Sequence, residues 1–401
     1  MKPNPGGILA LNEIVGRDQV VAHLFNTLHQ QSVLITAERR TGKTHVLEKF
    51  KAQAPKNWAV IKRDVGAIRS AAEFAQYMLG DLVPYFSIKT NFRNWLQDIG
   101  EQLGGTKIGP VTLPNFSAKN WKKALEDAIA HLDELEAFER VVFLWDELPW
   151  MLESIAKANP AEAMELLDCL RALRQSKPAK LRMVFTGSLG LHHVVRQLKE
   201  KGYNSTPVND MLSVEVEPLT PADAATLAQA LCQDCGLTSS DANLHAAMAA
   251  AVDYLPYYIH HVVSSLQKAR QSIGSELTTA TVEAAITKAI QSADNPWDLQ
   301  HYEARTLDYY GPRRAECLAL LDAVASVAAP IQMAEAIQRA KAAHPALAQQ
   351  DWIELARLLE RDHYFKRATS GAVSFKFTVV NRWWVWHRNL SVASVAAGPA
   401  K

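Results

Sequence analysis

Val33-Leu34-Ile35-Thr36 runs directly into Ala37-Glu38-Arg39-Arg40-Thr41-Gly42-Lys43-Thr44, and the rest of the chain is read outward from this stretch. The first four residues are apolar or β-branched, the composition of a short buried strand. After Thr44 the apolar positions recur at helical spacing, so residues 37–44 form a loop between a strand and a helix. Each residue type in such a loop has a task. Gly42 lets the backbone turn so that successive N–H groups face phosphate oxygens. Lys43 places a point charge between the β- and γ-phosphates, and Thr44 offers a hydroxyl to Mg²⁺. Ala37 stands where a first Gly is usual, a small replacement. The residues expected around a nucleoside triphosphate are Ala37, Glu38, Arg39, Arg40, Thr41, Gly42, Lys43, Thr44 and His45.

A second stretch, Val141-Val142-Phe143-Leu144-Trp145-Asp146-Glu147, is an apolar strand ending in two carboxylates. Asp146 is expected in the metal's hydration shell, and Glu147 is placed to orient and polarise an attacking water. A buried strand followed by an acidic helix cap gives the same letters. The spacing after the loop and the alternating pattern between the two stretches favour the catalytic reading.

That pattern predicts strands at 33–37, 58–64, 141–145, 182–186 and 213–216. Helices are expected at 19–30, 44–54, 71–83, 121–138, 161–174 and from 186 to about 201. Alternation of this kind predicts a parallel sheet with crossover helices. Residues 100–117, rich in Gly, Thr, Pro and Asn, read as a long loop or small insertion. From 220 the periodicity becomes purely helical, at 221–237, 240–252, 257–272 and 279–290, an all-α lid domain. Polar residues and two prolines suggest a linker at 295–312. Helices at 315–327, 333–342 and 350–360 then precede strands at 364–368 and 373–378, joined by Ser370-Gly371, the order of a winged helix. The expected division is 1–218, 219–294, 295–312, 313–390 and a small-residue tail at 391–401.

Composition restricts the function classes. The 401 residues carry a formal net charge of +1, which removes any whole-chain attraction to nucleic acid or anionic membrane. No run has the length of a membrane span, and the N-terminal residues lack the apolar core of a signal peptide. Four cysteines are too few for a disulfide framework, and Cys232-x-x-Cys235 has no second ligand pair for zinc. The expectation is a cytoplasmic protein.

These motifs resemble the archaeal-type ATPase group of the AAA+ and STAND P-loop NTPases. Further points of likeness are Val15-Gly16-Arg17-Asp18, Arg39-Arg40, Phe185-Thr186-Gly187-Ser188 and Glu217-Pro218-Leu219-Thr220. The resemblance implies an α/β P-loop NTPase core, a helical lid and a winged helix, with ATP and Mg²⁺ bound and ATP hydrolysed as a switch on a partner. It places Gly16 and Arg17 near the adenine. It implies that Thr186 or Ser188 senses the γ-phosphate, although a Thr-Gly-Ser turn capping the next helix fits equally. Pro256 stands where relatives carry a base-contacting Gly-x-Pro; here the Gly is absent, and a plain helix-breaking Pro fits as well. Arg196 stands where an arginine finger would sit in a homo-oligomer, with Arg171 and Arg174 as rivals and ordinary surface arginines as the alternative. Arg39 and Arg40 contact phosphate or a neighbouring subunit on this reading, or are solvated.

DNA contact is the second reading. Lys366, Arg367, Lys376 and Arg382 would support it, whereas the third helix, 350–360, carries three acids against one Arg. Trp383, Trp384 and Trp386 read mainly as core.

Overall fold

The computed structural model describes residues 1–86, 91–103, 105–108, 111–114, 120–176, 180–187 and 190–392. It divides into two compact units, Arg17–Val216 and a second that joins Met1–Gly16 to the chain from Glu217 onward.

The first unit begins with α1 (Asp18–Leu28), β1 (Val33–Thr36), α2 (Lys43–Ala52), β2 (Trp58–Asp64) and α3 (Ala71–Leu82). It continues through α4 (Asn91–Leu103), a hairpin of β3 (Gly105–Ile108) and β4 (Val111–Pro114), and α5 (Trp121–Ala130). The last elements are β5 (Arg140–Asp146), α6 (Leu148–Ala158), α7 (Pro160–Gln175), β6 (Leu181–Phe185), α8 (Leu191–Glu200) and β7 (Leu212–Glu215). Five strands pair in the order β2-β5-β6-β1-β7, every neighbour parallel. Parallel neighbours need crossover connections, and helices on the faces demand apolar residues on both sides of a central strand. Val141 to Trp145 are accordingly all buried. Trp145 packs edge-on against Phe74, with centroids 4.9 Å apart, and stacks on Phe185. Truncating such a residue to Ala costs about 3–5 kcal/mol. The order sets β6 between β1 and β5, so residues just past β6 emerge between the loop after β1 and the carboxylates after β5.

Several elements depart from expectation. The β3–β4 hairpin and the end of α4 fall where a loop or small insertion was read. Helix α6 starts at Leu148 despite Pro149, because a proline in the first turn gives up only an N–H that has no helical partner.

The second unit contains α9 (Pro221–Asp234), α10 (Leu244–Ala251), α11 (Pro256–Ile273), α12 (Thr279–Ile290) and α13 (His301–Tyr310). After these come α14 (Arg314–Ala325), β8 (Ile331–Gln332), α15 (Met333–Ala343), α16 (Gln349–Arg361), β9 (Phe365–Arg367), β10 (Ala372–Phe375) and α17 (Thr378–His387). Thr220 and Thr278 cap α9 and α12 by accepting the N–H of Asp223 and Thr281. The three short strands pair antiparallel in the order β8-β10-β9.

One hydrophobic core runs from Leu219 to Trp384. The 295–312 segment, expected as a linker, is part of it: α13 crosses the segment, and Trp297 and Tyr302 are each 1% exposed. Several of its polar groups are bonded inside the fold. Tyr310 donates to Asp362 Oδ2 at 2.5 Å, Arg305 Nε donates to the Tyr364 hydroxyl at 2.8 Å, and that hydroxyl donates to the Tyr302 carbonyl at 2.6 Å. The strand expected at 373–378 stops at Phe375, and Thr378 opens α17. Trp383 and Trp384 are buried on that helix, while Trp386 packs only partly against the core. All four cysteines are free thiols in buried positions.

Candidate nucleotide-binding site

After Thr36 the chain turns with Arg40 and Gly42 both left-handed, at φ 72° and 92°. Gly42 tolerates this without a Cβ penalty, and α2 begins at the next residue. The helix N-terminus therefore opens onto the loop, where unsatisfied N–H groups and the helix dipole favour an anion. Lys43 is nearly buried. Its Nζ donates to the carbonyls of Ala37, 3.1 Å, and Glu38, 3.3 Å, and so spans the loop. The Glu38 carboxylate turns inward and accepts the N–H of Arg39 at 2.7 Å, while Thr41 Oγ1 donates to the Glu38 carbonyl at 2.8 Å. Arg17 is buried and donates to the Thr41 carbonyl at 2.5 Å. Arg39 is exposed, Arg40 half-buried, and His45 lies in the first turn of α2 beside Gly42.

The two stretches converge. Thr44 Oγ1 donates to Asp146 Oδ2 at 3.2 Å across 102 residues of sequence. The other oxygen of Asp146 accepts the N–H of Glu147 at 3.1 Å. Glu147 is itself left-handed, φ 58°, and heads α6. A non-glycine residue held there costs about 1–2 kcal/mol, a strain that concentrates at functional positions. Its carboxylate lies against Gly187: a Cβ at 187 would stand 3.3 Å from Glu147 Oε2 and 2.7 Å from Pro149 Cδ. Thr186 is fully buried at the end of β6, and its hydroxyl has no hydrogen-bond partner among the described residues. An unspent buried donor beside two carboxylate-bearing positions is what a γ-phosphate or water contact would need. Ser188 lies outside the described residues.

The remaining expected residues fall elsewhere. Gly16 (φ 65°) and Pro256 belong to the second unit. Pro256 is the first residue of α11, a position that suits it. Tyr254 occupies the place of the absent Gly and is left-handed at φ 58°, a conformation that favours Gly. Arg196 is half-buried on α8, 3.4 Å from His193 Nδ1. Arg171 is half-buried on α7. Arg174 is committed to structure: its guanidinium forks onto Asp210 at 2.9 and 2.8 Å and donates to the Pro207 carbonyl.

Sequence reading missed Asp18 and Gly187. Asp18 pairs with the nearly buried Lys49 of α2 at 2.8 Å, and the Lys49 hydrogen bond holds its carboxyl below the ordinary range. The only signal for either was its place in a motif.

The site fits a hard divalent cation. A threonine hydroxyl and a carboxylate at hydrogen-bonding distance are the oxygen donors from which Mg²⁺ sites with phosphate are built.

Residues 27–195 match the AAA domain family. No curated protein sequence matches the chain significantly. Among solved structures, the Walker-type ATPase PABY2304 of Pyrococcus abyssi is similar over 93% of this chain and 96% of its own, with TM-score 0.62 and 15% identity. The ORC2 protein of Aeropyrum pernix, solved as ADPNP–ADP complexes, is similar over 93% and 92%, with TM-score 0.52 and 13% identity. The chain has the fold of the AAA+ P-loop ATPases. Among the described residues, no helix is long and apolar enough to cross a membrane.

Proposed function

We propose that this protein is a Mg²⁺-dependent ATPase whose nucleotide cycle acts as a switch on a protein partner. The 3.2 Å approach of Thr44 to Asp146 carries the reading, because it joins the phosphate-loop and strand-end halves of one site. Lys43 exchanges its bonds to the Ala37 and Glu38 carbonyls for phosphate oxygens. Thr44 and Asp146 would hold the metal, which would supply charge neutralisation for the phosphates. Glu147 orients a water and takes its proton, and the Thr186 hydroxyl bonds the γ-phosphate or that water. Four buried free thiols support a reducing, cytoplasmic setting. Arg196, half-buried yet on an outer helix, is the candidate finger if the protein assembles with itself.

A DNA-engaging initiator is the second reading. It is supported by the α14-β8-α15-α16-β9-β10 order, which is that of a winged helix. The charges favour a protein partner instead. Arg367 is paired with Glu360, Arg382 with Glu283, and Lys376 donates to His363, while Lys366 is exposed. Paired cations release few counterions from DNA.

Steady-state ATP hydrolysis of wild type beside Glu147→Gln, with and without duplex DNA across a salt series, tests both. The variant is expected to lose at least about 100-fold in turnover while retaining ATP. DNA stimulation that fades with salt would favour the initiator. Absence of wild-type turnover under every condition would refute the enzyme reading and leave an ATP-bound scaffold.

A further inference from the structure

The chain passes between its two units at 16/17 and at 216/217. Both passages are hydrogen-bonded to the segment that carries the phosphate loop. Val216 donates its N–H to the carbonyl of Thr36, the residue before the loop, at 2.9 Å. Arg17 donates to the carbonyl of Thr41, the residue before Gly42, at 2.5 Å. The next residue, Asp18, holds α2 through Lys49 at 2.8 Å. Consecutive side chains thus grip the loop and the helix that follows it.

The geometry points to Arg17 as a positioning residue for the phosphate chain of the nucleotide, acting through the loop backbone and indifferent to the base. This inference rests on the ATP-binding reading above. In a trans peptide the C=O and the following N–H point in opposite directions. By fixing the Thr41 carbonyl, Arg17 turns the Gly42 N–H away from itself, and Gly42 is the loop's most pliable residue. Arg17 is 5% exposed, so its charged hydrogen bond is made out of water, where such bonds are strongest. The adenine contact implied by family resemblance is a different role. It predicts sensitivity to the base, whereas an aimed backbone N–H predicts sensitivity to phosphate alone.

The test is displacement of a fluorescent ATP analogue from the full chain by ATP, by GTP and by inorganic tripolyphosphate, in wild type, Arg17→Ala and Arg17→Lys. Arg17→Ala is expected to weaken all three competitors by a similar factor, about tenfold or more. Arg17→Lys keeps a charged donor and is expected to stay within about threefold of wild type for each. kcat under saturating ATP is expected to change little while KM rises. A loss confined to ATP would overturn the proposal in favour of a base contact, as would wild type that binds ATP but not tripolyphosphate. Equal affinities in all three proteins would also overturn it. Wild type that binds no nucleotide at all refutes the ATP-binding reading instead. Should Arg17→Ala fail to fold, Arg17→Lys decides: a variant that lost ATP and kept tripolyphosphate would refute the brace.

Discussion

Replacing Arg174 should cost stability and spare chemistry, which separates it from the residues proposed to act on ATP. Its side chain is 2% exposed and Asp210 is 22% exposed. The guanidinium makes two bonds to the carboxylate, one to the Pro207 carbonyl, and covers the Phe185 ring at 5.3 Å. Breaking a buried pair by removing one partner costs about 3–5 kcal/mol. Asp210 retains some water, so the expected loss for Arg174→Met is nearer ~2–3 kcal/mol. For a unit of about 200 residues that lowers the melting temperature by roughly 5–10 °C. Urea unfolding of Arg174→Met, Asp210→Asn and the double variant should give a coupling of about 2 kcal/mol at neutral pH. The coupling has a defined pH range. Burial alone would raise the Asp210 pKa, but the hydrogen bond and charge of Arg174 outweigh it and leave the carboxyl below its ordinary 3.8. A lowered folded-state pKa gives stability that is present above the unfolded value and is lost as pH falls through the folded one. The coupling should hold from neutral pH down to about pH 5 and decline below about pH 4. A coupling under about 0.5 kcal/mol, or turnover that collapses with stability unchanged, would refute the structural assignment and reinstate Arg174 as a finger candidate.

Thr44→Ala should raise the Mg²⁺ concentration needed for half-maximal hydrolysis by about tenfold, read from a Mg²⁺ titration, with Thr44→Ser restoring it. The thiols should be nearly inert in the folded protein, because burial pushes Cys169 and Cys232 up to about 12 and raises Cys235 and Cys317 as well. A thiol reagent at pH 8 should modify less than about one cysteine in the first minutes and all four in urea.

The core strands were legible where they carry a short apolar run, most fully Val141 to Trp145 of β5, whereas β7 offers only Leu212 and Val214. The same local logic found α9 to α12 and, after 313, helices α14 to α16 and strands β9 and β10, but neither β8 nor α17. It failed where packing outweighs composition. Trp297, Tyr302 and Tyr310 looked like linker residues among polar neighbours, yet all three are buried, and the Tyr310 hydroxyl and the Tyr302 carbonyl bond Asp362 and Tyr364, tens of residues away. No helix was expected at 148–158, where α6 lies with Pro149 in its first turn. In the candidate site, Lys43, Thr44, Asp146 and Glu147 were visible as motif letters. The bond from Arg17 to Thr41, the crowding at Gly187 and the unspent Thr186 hydroxyl depend on strand order, which no local pattern reports.

The second unit joins two segments, Met1–Gly16 and the chain from Glu217, that the first unit separates in sequence. During synthesis Met1–Gly16 must wait while Arg17–Val216 is translated, roughly 10–40 s at typical elongation rates. The parallel sheet of the first unit can close as soon as β7 emerges, because β7 is its last strand and lies at the sheet edge beside β1. Translation order alone would therefore release a folded first unit ahead of the segment from Glu217, and on the proposed ATP-binding reading a nascent chain stalled after 216 should already retain ATP.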